Sequence, residues 1–109
     1  MAWLLVEDRV VASVEVVNTR GARRRGLLGR EGIDGAMLLS PARSVHTVGM
    51  RFMIDVAHLD SDMCVLAVTT MKPGRVGRIG WRTRHVLEAE AGSLQRFGVT
   101  PGVQIGVRS

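Results

Sequence analysis

Apolar and polar residues alternate over short stretches of this chain, which is the spacing of β-strands rather than of helices. In residues 10–17, every second position from Val10 onward is Val or Ala, while the intervening positions include Ser13 and Glu15. Further apolar runs occupy residues 3–7, 36–39, 53–59, 63–71, 84–90 and 103–107. Polar turns join the first two runs and the pair at 53–71, so each pair is predicted to form a β-hairpin.

Two segments predict short helices. Asn18 or Thr19 can cap a helix that Gly29 ends, and the glycines inside it limit the helix to about two turns. Residues 92–97 predict a second helical turn. Together the elements indicate a mainly β fold, a compact antiparallel β-barrel or sandwich of about six or seven strands with one or two short helices. The chain shows no repeat or linker, so residues 1–109 are expected to form a single β-rich domain.

Composition indicates the charge and the cellular location of the protein more than its function. The 15 Lys and Arg residues exceed the 10 Asp and Glu residues, which gives a basic protein with a net charge of +5. Cys64 is the only cysteine, so no internal disulfide can form. The apolar run at the N-terminus is too short for a signal peptide, and no run reaches the length of a membrane span. We therefore expect a cytoplasmic protein.

Residues 45–60 hold the highest concentration of candidate functional side chains, with polar and charged residues set among apolar neighbours. Charged side chains are rarely buried unless they are paired, so this stretch must present a surface or a defined polar cluster. The leading hypothesis is a non-catalytic binding or accessory domain with a cleft near His46, Met50 and Arg51. In this hypothesis Arg51 holds an anionic group and His46 is a second donor.

The same stretch contains residue types of two other chemistries, metal binding and hydrolysis. Asp55, His58, Asp60 and Asp62 do not have the spacing of a zinc or calcium loop, so neither a metal nor another cofactor is expected. An enzyme is the alternative, a small hydrolase in which His46 is the general base and Asp55 or Glu88 orients it. No nucleophile-elbow motif accompanies His46. Glu88 is otherwise predicted to pair with Arg51 or Arg30.

A second alternative is a weak polyanion-binding module formed by residues 72–85. This predicted loop holds Lys72, Arg75, Arg78, Arg82 and Arg84 around Trp81, and it contains no acidic residue. Basic side chains bind polyanions in a salt-dependent way, and a tryptophan can stack on a base. The sequence has no RNA- or DNA-binding signature, so nucleic acid is not the expected partner.

Four blocks of the sequence, taken together, resemble those of a known family. They are residues 19–30, with T-R at the start and G-L-L-G-R at the end, residues 36–39, A-M-L-L, residues 46–60, H-T-V-G-M-R-F-M-I-D-V-A-H-L-D, and residues 86–92, V-L-E-A-E-A-G. On these blocks, residues 10–107 are similar to the domain of unknown function 192 family, small and mostly bacterial and archaeal proteins. Met53, His58 and Val103 depart from the family pattern, which has a proline, an aromatic residue and an aspartate there.

The resemblance implies a compact β-rich fold and no established activity. It also carries over a set of polar motif residues, namely Arg30, His46, Thr47, Arg51, Asp55, Asp60 and Glu88. The candidate ligand-binding residues are therefore His46, Thr47, Met50, Arg51, Arg30, Asp55 and Glu88. Whether they line a site or brace the fold stays open, as does the oligomeric state. The expected partner is a small anionic ligand or another protein.

Overall fold

The computed structural model describes residues 2–109, which form seven strands and two short helices. The strands are β1 (Ala2–Val6), β2 (Arg9–Val17), β3 (Ala36–Leu39), β4 (Ile54–Leu59), β5 (Val65–Met71), β6 (His85–Glu90) and β7 (Ile105–Arg108). The helices are α1 (Arg20–Arg25) and α2 (Ser93–Phe97). Both predicted hairpins, β1–β2 and β4–β5, are present. Within residues 2–109, neither helix is long or apolar enough to cross a membrane.

All seven strands belong to one curled sheet, in the order β5-β4-β6-β3-β2-β1-β7. The two end strands approach each other, because Cys64 bridges to Gln104 and the amide of Val65 donates to the carbonyl of Val103 at 2.9 Å. The sheet is thus a half-barrel, which confirms the mainly β prediction and its barrel form. One pair differs from the antiparallel expectation, since β2 and β3 run parallel. Residues 18–35 supply the crossover that a parallel pair requires, and they contain α1.

The curled sheet buries apolar side chains on both of its faces. One cluster includes Leu4, Leu59, Leu87 and Leu94, and it packs against α2. A second cluster includes Leu27, Met37, Met50 and Val86, and it lies beneath the segment that follows α1. Because side chains alternate along a strand, β6 sends Leu87 into the first cluster and Val86 into the second. Glu88 has the same parity as Val86, so an ionisable side chain enters the second apolar cluster.

Residues 72–84, between β5 and β6, are held along residues 43–47 by backbone hydrogen bonds. The amide of Thr47 donates to Arg75 at 2.7 Å, that of Gly77 to Val45 at 2.9 Å, and that of Gly80 to Arg43 at 3.1 Å. A Cβ on Gly77 would lie 2.6 Å from the carbonyl oxygen of Val45, so only glycine permits this close approach. The predicted loop is therefore real, and its backbone is tied to the segment that carries His46.

Candidate binding pocket

A pocket of about 440 Å³ opens between α1 and residues 41–50. Its walls are mostly apolar and come from Leu27, Leu28, Leu39, Pro41, Ala42, Val45 and Met50. Its polar groups are four arginines of α1, with Ser44, His46 and Glu88. A cavity of this volume with apolar walls and a few convergent polar groups has the general character of a small-molecule site.

Helix α1 forms one side of the pocket, and both of its ends are held in place. Thr19 caps its start, where the Oγ1 atom accepts a hydrogen bond from the amide of Ala22 at 3.2 Å. Gly26 ends it with φ +48 and ψ −125, a backbone conformation that residues other than glycine rarely adopt. Directly afterwards the chain buries Leu27 in the second core cluster, so the helix is anchored to the sheet at that point.

Glu88 lies at the base of the pocket, in the middle of β6. Its neighbours on the adjacent strands are Met37 of β3 and Val56 of β4, and only 1% of its surface is exposed. No hydrogen-bond partner reaches its Oε1 atom among residues 2–109. Burial raises the pKa of this carboxyl from its ordinary 4.5 to about 7, because removal from water disfavours the charged form. The Glu88 carboxyl therefore gains or loses its proton near neutral pH.

The rim of the pocket is positively charged. Arg20, Arg24 and Arg25 are exposed, Arg23 is half-buried, and all four follow one another around α1. The ion pairs found in the described part of the chain are Arg30–Glu15, Arg51–Glu31 and Arg82–Asp60, so none of the four rim arginines is neutralised by a carboxylate. Three of them lie in the last turn of the helix, where cations also stabilise the helix dipole.

Of the seven predicted site residues, the pocket brings together His46, Met50 and Glu88. Arg30 lies elsewhere and makes a two-bond contact with Glu15, both N–O distances being 2.9 Å. This contact raises the pKa of Arg30 and lowers that of Glu15. Arg51 donates instead to the exposed carboxylate of Glu31. The predicted pairing of Glu88 with Arg30 or Arg51 is therefore wrong, because both guanidinium groups have other partners.

The other two predicted residues, Thr47 and Asp55, are buried and fully occupied with the fold. The Oγ1 of Thr47 donates to the carbonyl of Lys72 at 2.6 Å and accepts from the amide of Arg75 at 2.8 Å. Asp55 accepts from the Thr70 hydroxyl at 2.8 Å and from the amides of Gly92 and Leu94 at 2.8 and 3.3 Å. These contacts fix the loop after β5 and the start of α2.

In residues 2–109, the pocket contains neither the His46–carboxylate pair of the predicted hydrolase nor a cluster of metal ligands. The imidazole of His46 forms no hydrogen bond with a carboxylate there, and the Ser44 hydroxyl donates to the carbonyl of Gly77 at 3.3 Å. The same part of the chain holds no group of three or more His, Cys, Asp or Glu side chains suited to a metal ion. Asp60 accepts from the amides of Asp62 and Cys64, which is the geometry of a polar turn.

Two features of the structure were not predicted from the sequence, one at the pocket and one outside it. At the pocket, the rim arginines were not among the predicted site residues, because helical spacing does not indicate what lies beside the helix. The Ser40 hydroxyl and Nδ1 of His85 lie 2.7 Å apart, although 45 residues separate them in sequence. A second histidine, His58, pairs with the Thr83 hydroxyl at 2.9 Å, and burial lowers the pKa of both imidazoles.

The fold and the motif blocks together define the class of protein: a small, β-rich half-barrel with two short helices. The family model of DUF192, described as an uncharacterized ACR, matches residues 4–107. The chain therefore belongs to the DUF192 family, and the match extends the predicted family region, residues 10–107, back to residue 4 in β1.

Two solved structures share the fold. The first is a protein of unknown function from Novosphingobium aromaticivorans, with a TM-score of 0.81 and 17% identity, covering 96% of this chain and 82% of that one. The second, from Sinorhizobium meliloti, is named only as a candidate transcription regulator, with a TM-score of 0.71 and 20% identity, covering 97% and 91%. At these identities the likeness concerns the fold alone. No curated protein matches the chain.

Proposed function

We propose that this protein is a non-catalytic binding domain whose pocket beside α1 takes a small anionic ligand. The observation that carries the proposal is the Oε1 atom of Glu88, which is buried at the base of the pocket and has no hydrogen-bond partner among residues 2–109. A buried polar atom left without a hydrogen bond costs roughly 1–3 kcal/mol, so such an atom is rarely retained without a purpose. A ligand that completes the hydrogen bond recovers this free energy on binding.

The charges around the pocket favour an anion. Glu88 is the only acid among the lining residues, whereas the rim carries four arginines. Guanidinium groups bind carboxylate and phosphate through two parallel hydrogen bonds, and a cluster of them also attracts anions from solution. The exposed rim therefore suits the charged end of a ligand.

The apolar walls and Glu88 define the other end of the ligand. In its neutral form, Glu88 presents an O–H group that can donate to a carbonyl or carboxyl oxygen. The pocket walls also include Leu27, Leu39 and Met50, which would cover an apolar body. The pocket thus suits a molecule with an anionic outer end, an apolar middle and a hydrogen-bond acceptor at its inner end.

Binding can be tested with anilinonaphthalene sulfonate, which has an apolar body and one anionic group, and with octanoate as its competitor. We expect the native protein to bind the fluorescent probe and octanoate to displace it. The double variant Arg23→Gln/Arg24→Gln should weaken binding roughly tenfold, since charge-assisted hydrogen bonds are lost. Each step is measured by fluorescence titration.

The matched control is Arg9→Gln/Arg108→Gln, which removes the same charge from two exposed strand positions outside the pocket. It should leave the affinity within a factor of about two, because screened charges at a distance contribute little. An equal loss in both double variants would assign the effect to net charge and refute the pocket. Absence of probe binding by the native protein would refute the proposal as well.

A further inference from the structure

The most exposed apolar side chains of residues 2–109 lie together in one loop. Among the large apolar residues, Trp81 is 91% exposed, Val76 79% and Ile79 75%, whereas the next, Val48, is 52% exposed. All three lie in residues 72–84, which we call the basic loop. Burying such side chains normally stabilises a fold, so three of them exposed in one loop mark a surface that contacts something else.

The exposure of these side chains is built into an ordered backbone. Hydrogen bonds tie Arg75, Gly77 and Gly80 to residues 43–47, as described above. The Arg84 side chain donates to the carbonyl of Trp81 at 3.0 Å and to that of Thr83 at the same distance. The loop therefore holds Val76, Ile79 and Trp81 outward on a fixed base.

The same loop is rich in cations. The basic loop contains Lys72, Arg75, Arg78, Arg82 and Arg84 and no acidic residue. Arg82 lies 3.8 Å from Asp60, while Lys72, Arg75 and Arg78 take part in none of the ion pairs found in the part of the chain that the structure describes. The complementary surface is therefore anionic, and it must also accept apolar side chains.

We propose that the basic loop docks on the surface of an anionic lipid bilayer, with Trp81, Ile79 and Val76 entering the interface between headgroups and acyl chains. Tryptophan is enriched at this interface, and apolar side chains flanked by Lys and Arg are the usual composition of surface-bound segments. Each cation near an anionic membrane strengthens binding roughly fivefold. Val76 and Ile79 favour lipid over nucleic acid, because aliphatic side chains offer no ring to stack on a base.

The first experiment uses vesicles of phosphatidylcholine alone and vesicles that also contain phosphatidylglycerol. In a Trp3→Phe background, Trp81 is the only tryptophan, so its emission reports on the loop alone. We expect a blue shift with the anionic vesicles and little change with the neutral ones, and sedimentation should show the same preference. Added salt should weaken binding, because it screens the attraction between the loop and the lipid.

Two pairs of variants test the loop itself. Trp81→Ser should weaken binding to anionic vesicles roughly tenfold, since a large side chain no longer leaves water. Its control, Val10→Ser, alters an exposed apolar residue of β2 and should have little effect. Arg75→Gln/Arg78→Gln should weaken binding roughly twentyfold. The control Arg9→Gln/Arg108→Gln removes the same charge outside the loop.

Several results would overturn the proposal. They are equal binding to neutral and anionic vesicles, equal losses in the loop variants and their controls, or binding that Trp81→Ser leaves unchanged. Binding to a single-stranded oligonucleotide that depends on Trp81, with no binding to vesicles, would assign the loop to nucleic acid instead. Thermal unfolding of every variant verifies that the fold is retained.

Discussion

A Cβ placed on Gly26 would lie 3.6 Å from the Oε1 atom of Glu88, so the end of α1 touches the middle of β6 at the base of the pocket. This contact joins the two features on which the pocket depends. The positive-φ turn at Gly26 directs Leu27 into the core, and Gly26 and Glu88 both line the pocket. The geometry of α1 and the burial of Glu88 are therefore linked.

Gly26→Ala should destabilise the protein by about 1–3 kcal/mol, because φ +48 with ψ −125 is strained for any residue with a Cβ. The added methyl group itself fits, since its distance to Glu88 is an ordinary van der Waals contact. Urea unfolding measures the change in the free energy of unfolding. Gly21→Ala is the matched control inside α1, where a Cβ meets nothing within 4 Å, and it should be neutral or stabilise by up to about 1 kcal/mol. Equal effects at both positions would contradict this explanation.

Glu88→Gln should change how stability depends on pH. In the folded protein the pKa of Glu88 is about 7, whereas its ordinary value is 4.5, so between these values the folded state binds more protons than the unfolded state. The free energy of unfolding of the native protein therefore falls as pH rises through this interval. The variant has no such proton, so its stability relative to the native protein should rise by about 3 kcal/mol from below pH 4.5 to above pH 7.

Urea unfolding of both proteins across this range measures the difference. His58 and His85 titrate with the opposite sign, because burial lowers the pKa of each, but they are present in both proteins and cancel. Glu90→Gln is the control, because it removes the same charge from the exposed end of the same strand. A flat difference for Glu88→Gln would show that its carboxyl is not desolvated as described.

The proposed ligand site predicts a related pH effect on binding. The charged form of Glu88 repels an anion and is costly to cover with an alkyl chain, whereas its neutral form is not, so octanoate should bind more weakly above pH 7 than below it. Glu88→Gln retains a donor without the charge, and its affinity should vary much less with pH. The other titratable groups of the pocket are His46 and the rim arginines. His46→Gln should keep the pH effect, and a loss of the effect only in this variant would transfer the role from Glu88 to His46.

The sequence predicted those parts of the fold that depend on local pattern. The alternation in residues 10–17 and the polar turn after Asp60 became hairpins, since neighbouring strands joined by a short turn pair with each other. The parallel pairing of β2 with β3 was missed, because the order of strands depends on contacts between residues distant in the chain. Nothing in the residues 18–35 specifies on which side of β2 the next strand lies.

The same distinction applies to the pocket. The burial of Glu88 follows from its apolar neighbours Val86, Leu87 and Ala89. Glu88 itself was predicted as a site residue because of its position in a family motif. Its lack of a partner was not predictable, because Arg30 and Arg51 each found a nearer carboxylate in Glu15 and Glu31. Which arginine meets which acid is decided by the tertiary fold, and the sequence offers several equivalent choices.

Asp55 tests whether a family motif residue can serve the fold alone. Its buried carboxylate joins β4 to Thr70 and to the amides of Gly92 and Leu94, so it satisfies the start of α2 in place of a side-chain cap. Asp55→Asn replaces one accepting oxygen by a donor and should lower the free energy of unfolding by about 1–3 kcal/mol. Asp62→Asn is the control, because its side chain is exposed, and it should stay within about 0.5 kcal/mol. Octanoate affinity should be unchanged in folded Asp55→Asn, and a weakened affinity with normal stability would place Asp55 in a binding site instead.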